Sequence, residues 1–458
     1  MLLLECNIQI TRISPEITSN QKVTFQLVNE IDIHSSYEVL TDTCRITLPK
    51  GTLFLSEEVS GPIESLGKFT RIVQRSPFAG REPVVTSDIK SNSLIPNTTT
   101  NNNAFVNVTE MSMESLFTRG DFIQVFLNYS HGYSDLDHNY EYDSGPKLAF
   151  EGYVTKYDYA SPIVIECEDA MFFYKNSSIP LYPSKIRKLN EVIEDIYTNK
   201  YSKGGSRLYK QLGNINEPAN RLEKNLDVNV GKIGFGEEIM VSDIFEYLRS
   251  NLGIFTYFRL MDKNEKGCKI EGPQLYSGMP SDASTGKTVN LTFEQHIIDF
   301  SNLKWQESSD MNLKVKVVNM NFDNTKSTVY ITYDGVGTVI NGKLEHFKVS
   351  PKGKIDKSSL DTFKTLKTVY TSGLDYDAMI KVGKERFFKL NYTGYKGSFE
   401  TFGEPYIRHG DKVDLRSWAY LNMSGVYTVI SVNRKFGVNG YRQIVEIGVK
   451  VGESLQDK

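Results

Sequence analysis

The chain has 458 residues, 39% of them hydrophobic, with 26 Tyr and 25 Phe and a formal net charge of -3. That length exceeds one ordinary core and points to about three domains, and the aromatic content leans toward β structure, where large rings pack on pleated surfaces. The near-neutral charge excludes the strong basic excess of a duplex-binding protein, and no apolar run approaches the roughly 20 residues needed to span a bilayer.

In chain order, Leu3 to Ile10, Lys22 to Ile33 and Asp42 to Leu48 alternate as strands, with Ile8, Ile10, Val23, Phe25, Leu27, Cys44, Ile46 and Leu48 on the inward face. Residues 52 to 117 hold the Asn- and Thr-rich tract SNSLIPNTTTNNNAFVNVTE, which cannot bury a core and reads as an insertion or exposed loop. Strands resume from Phe122 to Glu168. Behind Pro183 and Ser184, the spacing of Ile186, Leu189, Ile193 and Ile196 predicts a helix. A second helix is expected with Ser242 as N-cap, Asp243 in the first turn and Gly253 as its stop, leading into a strand from Ile254 to Phe258. Lys200 to Val230 is polar and uninformative. Leu313, Val315 and Val317 alternate against lysines and open a further β region, followed by Thr328 to Tyr333. A helix from about Asp375 to Leu390 turns Leu374, Ala378, Val382 and Phe387 inward, and Gly394 and Gly397 release the chain into Ser398 to Phe402.

The last stretch, Phe402 to Val451, has three alternating runs, Lys412 to Leu415, Val426 to Val432 and Tyr441 to Val449. Gly410-Asp411, Gly425 and Gly437-Val438-Asn439-Gly440 punctuate them. A similar arrangement lies between Arg119 and Asp169. Arg119-Gly120-Asp121 corresponds to Arg408-His409-Gly410-Asp411, with one residue inserted. Gly152-Tyr153-Val154-Thr155 corresponds to Gly425-Val426-Tyr427-Thr428, and Ile163-Val164-Ile165-Glu166 to Ile444-Val445-Glu446-Ile447. Two distant copies of one barrel-like unit fit this pattern better than a solenoid, whose repeats are shorter and more numerous. The recurrence also makes Arg119-Gly120-Asp121 a strand-entry turn, not an adhesion tripeptide.

The motifs with chemical potential are few. Ser281 to Thr288, SDASTGKT, ends like a phosphate loop but has Ser281 where that loop needs Gly and no buried strand before it; a polar turn is the alternative. Asp135, Asp137, Asn139, Glu141 and Asp143 alternate as calcium ligands would, yet Tyr140 stands where the calcium loop needs Gly and Pro146 where it needs Glu; a solvated acidic loop is the alternative. The six histidines, His34, His131, His138, His296, His346 and His409, show no HxxxH spacing, and no GxSxG or HExxH motif occurs. Cys6, Cys44, Cys167 and Cys268 lie far apart with no CxxC pair, and are expected to be buried free thiols. No catalytic, cofactor-binding or metal-binding residue is therefore assigned, no cofactor is expected, and the chain is not expected to be an enzyme. The opening Met-Leu-Leu-Leu-Glu is short for a signal peptide, so the protein is expected to stay in the cytoplasm that makes it or to leave by assembly.

The pattern GxPxIxxGDxVxL at Gly403 to Leu415, the glycine-led strand at Gly425 and the closing NGYRQxVEI resemble the end of phage baseplate hub and late-control tail proteins. SYEVLTDTCRITLPKG at Ser36 to Gly51 and FEGYVTKYDY are similar to the first barrel of that family, and FSNLKWQESS at Phe300 to Ser309 fits its order. The resemblance implies a mainly β fold with an α+β insertion, in which two related antiparallel β-barrel domains, 1–176 and 302–458, flank a small α/β domain, 177–301. It implies a virion structural protein at the tail tip or baseplate of a phage or related injection machine, assembled in the bacterial host cytoplasm. It implies a homotrimer whose six barrels of pseudo-sixfold symmetry match a sixfold tail tube above and a threefold spike below. The implied partners are the tube protein, a spike or tail-tip protein and the tape-measure protein, with DNA passing the lumen without specific binding. Only Gly452 to Lys458 follow the second unit, so any needle or wall-degrading enzyme is expected on a separate chain. The alternative of another class is a glycan-binding or glycan-hydrolysing β protein of the bacterial surface, since carboxylate pairs are recognised by distance in space.

Overall fold

A computed structural model describes residues 2–11, 22–50, 52–60, 69–75, 105–110, 118–131, 146–158, 162–175, 177–179, 182–197, 229–236, 238–261, 272–278, 287–306, 313–321, 325–332, 335–340, 343–348, 364–390, 392–419 and 424–452. The fold is mainly β with large antiparallel sheets, as the alternation of apolar residues predicts. No helix among the described residues is long and apolar enough to cross a membrane. The chain divides into two compact units, Met1–His34 with Asp42–Ala170 and Asn433–Arg442, and Ser35–Thr41 with Met171–Val432 and Gln443–Lys458.

In the first unit, the strand Leu2–Thr11 pairs antiparallel with Lys22–Phe25 on one side and with Phe122–His131 on the other. The ladder continues through Lys147–Asp158, Val164–Glu168, Thr43–Thr47 and Glu30–Ser36. Its registers line up Ile33, Cys44, Cys167 and Val154 as one buried row across four neighbouring strands, which is the period-two logic of a one-sided sheet. The single strand expected over Lys22 to Ile33 is two strands, and Leu27, expected inward, falls between them and is 38% exposed. Alternation fixes a face only while the ladder continues. The Asn- and Thr-rich insertion also differs from a plain loop: Leu53–Ser60 pairs antiparallel with both Phe69–Arg75 and Phe105–Glu110, the latter being the end of the low-complexity tract. Val and Thr there have β propensity, which composition alone conceals.

In the second unit, Thr288–Thr292 runs parallel to Lys412–Arg416, which pairs antiparallel with Gly425–Gly437. Gly440–Gly452 forms the next strand, then Gly394–Phe402, on which Ile297–Asp299 and Lys304–Gln306 close. Thr288–Thr292 and Ile297–Asp299, at the two ends of this series, are joined by the single helical turn Phe293–His296. Val289, Leu291, Phe399, Val413, Leu415, Tyr427, Val429, Val445 and Ile447 from these strands share one core. The strands Leu313–Met320 and Lys326–Thr332, read from the sequence as the start of this region, belong to a separate five-stranded sheet.

That sheet is covered by the helix Tyr376–Leu390, whose Ala378, Val382 and Phe387 are buried as the spacing predicts, as is Leu374 just before it. Ahead of it, the helix expected from Pro183 begins later. Tyr182–Lys188 is a strand paired with Asn229–Phe235, and the helix is Leu189–Tyr197. Arg187 causes the difference. Its side chain is buried, donating to Asp195 at 3.4 Å and to the carbonyls of Pro183 at 2.6 Å and Ile233 at 2.8 Å. Strand alternation then sends Ile186 outward, 51% exposed. The next helix, Val241–Tyr247, has Met240 at its N-cap, with Ser242 inside the first turn, and Gly253 ends the following π turn at φ 70° as expected. The hairpin Phe255–Met261 with Gly272–Gly278 follows.

Candidate functional site

The feature that occurs twice is the turn before a strand. In the first unit Gly120 takes φ 96°, a left-handed conformation that favours glycine. Asp121, 1% exposed, accepts from the backbone N–H of Thr118 at 2.8 Å and from its hydroxyl at 2.8 Å. The Gly120 N–H donates to the Val154 carbonyl at 2.7 Å, and the Val154 N–H to the Asp121 carbonyl at 2.9 Å. In the second unit Gly410 has φ 77°, and Asp411, 0% exposed, accepts from the Arg408 N–H at 2.9 Å. The Gly410 N–H donates to Val429 at 2.9 Å and the Val429 N–H returns a bond to Asp411 at 2.9 Å. The two turns share one hydrogen-bond scheme.

This scheme sharpens the correspondence between the copies. Thr118 matches Arg408 and Arg119 matches His409, so the inserted residue expected in the second turn does not exist. Val154 matches Val429, and the ladders Phe122 to Tyr153 and Lys412 to Thr428 agree with it. Gly152 therefore matches Tyr427, two positions from Gly425. Gly152 serves a local purpose: a Cβ there would lie 2.2 Å from the Glu168 carbonyl oxygen. In the closing strands Ile163, Ile165 and Cys167 are buried, as are Val445 and Ile447. Pairing Val164 with Val445 would flip every side chain, so the expected alignment is one residue out.

The copies differ in what meets the turn. At the second one, the Arg259 guanidinium forms a buried ion pair with the Asp411 carboxylate, which also accepts from the Lys287 N–H at 3.2 Å. His409, 3% exposed, bonds through Nε2 to the Phe258 carbonyl at 3.0 Å; a carbonyl only accepts, so the proton is on Nε2. The Tyr257 ring stands edge-on to His409 with centroids 5.0 Å apart and packs with Tyr37, Phe255 and Tyr276. At the first turn Arg119 is exposed, and a Cβ on Gly120 would have no neighbour within 4 Å. Arg259, Tyr257 and Lys287 come from elements more than 120 positions earlier in the chain, and no motif marks them in the sequence.

The other candidates are placed as follows. The Asp135 to Asp143 loop, Ser281 to Gly286, Cys268 and His138 lie outside the described residues, as do the side chains of His131 and His346. Among the described residues no group of three or more His, Cys, Asp or Glu could hold a metal ion. His296 is half-buried and accepts the Thr292 N–H on Nδ1 at 3.0 Å. Cys6, Cys44 and Cys167 are buried free thiols. Burial pushes the Cys6 thiol up to about 12 and raises Cys44 and Cys167 as well, so thiolate chemistry is suppressed at all three.

No family model matches the chain, and no curated protein matches it. Among solved structures it is similar to a tail protein from Neisseria meningitidis MC58, at 9% identity and a TM-score of 0.49 over 97% of this chain and 96% of that one. It is similar to a tail protein of prophage MuSo2 from Shewanella oneidensis, at 10% identity and 0.45 over 97% of each chain. It is also similar to a component of the type VI secretion system of E. coli, at 8% identity and 0.43 over 97% of this chain and 76% of that one. Likenesses this distant transfer no residue role, partner or assembly.

Proposed function

We propose that the protein is a structural hub at the distal end of a phage tail or a related injection system. The observation that carries this reading is the turn built twice on one hydrogen-bond scheme, at Thr118–Asp121 and Arg408–Asp411. A chain with two related units gives six units when three copies form a ring, so a trimer can face a sixfold tube on one side and a threefold spike on the other. In this reading 1–176 and 302–458 each hold a barrel; the second draws Thr288–Thr292 from the intervening region 177–301 and leaves the five-stranded sheet that includes Leu313–Met320 outside it. Both turn aspartates are buried and hold backbone N–H groups, which suits a scaffold and assigns no catalytic role. The net charge of -3 suits a lumen past which DNA or cargo slides without being held. The partners are the tube, spike and tape-measure proteins, and the place is the tail tip or baseplate, after assembly in the host cytoplasm.

Light scattering of the purified chain, alone and with tube protein, tests this. A mass of three chains is expected. A strictly monomeric particle in both conditions would overturn the reading, and hydrolysis of a cell-wall glycan that vanishes on replacing one Asp or Glu would replace it.

A further inference from the structure

The five-stranded sheet of the second unit differs in composition from the rest of the chain. Its strands, in the order Lys343–Lys348, Gly335–Ile340, Lys326–Thr332, Leu313–Met320 and Lys364–Ser372, hold seven lysines, no arginine and one acidic residue, Glu345. The chain as a whole has a net charge of -3. A local basic excess of this kind is hidden by the total and marks a surface for anions.

One face of the sheet is taken by the helix Tyr376–Leu390. Val315, Val317, Val329, Ile331 and Val369 are buried on that side, where Gly383 of the helix sits against Ile331 and Val317. Alternation sends the intervening residues to the other face, and the registers there place Lys316 opposite Tyr330 and Val318 beside Tyr370. Two ammonium groups flank one ring: Lys314 Nζ lies 5.6 Å and Lys316 Nζ 5.9 Å from the Tyr330 centroid. Exposure on this face increases from 9% at Lys314 to 39% at Met320 and 70% at Tyr370. Lys326, opposite Met320, is exposed as well. The three strands that carry these side chains hold no acidic residue to neutralise the lysines. Positive charge is also in excess at the edge of the sheet. There Lys367 is held below the usual lysine range by the Arg386 guanidinium first, then by burial and the Lys389 ammonium, although Lys389 pairs with Glu38.

We propose that the face bearing Lys316, Lys326, Tyr330 and Tyr370 binds single-stranded nucleic acid, with the lysines on phosphates and an unpaired base stacked on Tyr370. A single exposed tyrosine means little by itself, but an exposed ring among lysines is the composition that holds a strand by backbone charge and base stacking. The charge selects a polyanion. The ring selects free bases, because those of a duplex are stacked on one another. Lysine meets phosphate as a point charge, and without arginine these strands lack the rigid fork that reads guanine. Binding without sequence preference is therefore expected. The inference goes beyond the hub reading and does not need it, since the sheet stands outside the two barrels of that reading.

The test is fluorescence anisotropy of the full chain with a labelled oligothymidylate of about 20 nucleotides, longer than one binding site. Wild type should bind, with affinity falling as salt rises. Lys316→Gln and Lys326→Gln should each flatten the slope of log affinity against log salt by about 0.7. Tyr370→Ala should weaken binding at least about fivefold at an unchanged slope. Lys156→Gln, at an exposed lysine of the first unit, should change nothing. Circular dichroism checks folding, and any one folded variant of the three decides. No binding by wild type at low salt, unchanged binding in the folded variants, or an equal loss in Lys156→Gln overturns the proposal. Duplex DNA held as tightly overturns the single strand. Poly(glycerol phosphate) or polyglutamate held as tightly, with Tyr370→Ala indifferent, overturns nucleic acid as the occupant.

Discussion

At the scale of single residues, the decisive group is Asp411. The glycine and aspartate of both turns are legible in the sequence because a left-handed residue followed by an N–H acceptor is local chemistry. The partner that distinguishes the second turn is not: Arg259 is brought there by a distant hairpin, and a charge inside a strand reads equally well as a solvated face. Removing one member of a buried pair leaves an uncompensated charge, at a cost of about 3–5 kcal/mol. Arg259→Met should therefore lower the denaturant midpoint strongly, and adding Asp411→Asn should recover part of the loss. Asp121→Asn, which removes the carboxylate that accepts from the Thr118 N–H and hydroxyl, should cost about 1–3 kcal/mol. Equal losses at the two turns, or no recovery in the double variant, would contradict the pairing. Glu294 offers a pH test. The Ser417 hydroxyl, then backbone N–H groups including that of Trp418, hold its carboxyl below the usual range. A lowered folded value means the contact is present above the ordinary carboxylate range and lost as pH falls through the lowered one. In a Trp305→Phe background, leaving Trp418 as the only tryptophan, its fluorescence should change on acidification. Glu294→Gln should show the acid spectrum already at neutral pH, and a pH-independent spectrum would refute the contact.

At the scale of elements, period and length decide how much is legible. The helix Tyr376–Leu390 has four turns of consistent spacing and is readable with its core face, whereas Ile186, Leu189 and Ile193 mimic helical spacing across a strand–helix junction fixed by the buried Arg187. The Tyr376–Leu390 helix also hides a packing constraint. A Cβ on Gly383 would lie 2.5 Å from Ile331 Cγ1 and 3.0 Å from Val317 Cγ2, so the helix approaches its sheet through that glycine. Helix propensity alone would make Gly383→Ala stabilising by about 1 kcal/mol, but overpacking typically costs about 1–3 kcal/mol. Net destabilisation is expected in a thermal melt, and a raised melting temperature would show that the sheet yields instead.

At the scale of the molecule, the recurrence of one turn was visible in the sequence, but the alignment of the strands around it was not. Both glycine anchors suit the pattern, yet Gly152 permits a close strand contact while Gly425 opens a strand elsewhere in the register. The membership of Leu313–Met320 in its own sheet was likewise invisible, since alternation says which face is buried and not which sheet owns it. In the proposed hub, two units per chain turn a trimer into a ring of six. End-on electron-microscopy averages of the protein bound to tube protein test it most directly. A ring of three chains with six lobes of two alternating kinds is expected; a ring of three undivided lobes, or no ring at all, would refute the hub.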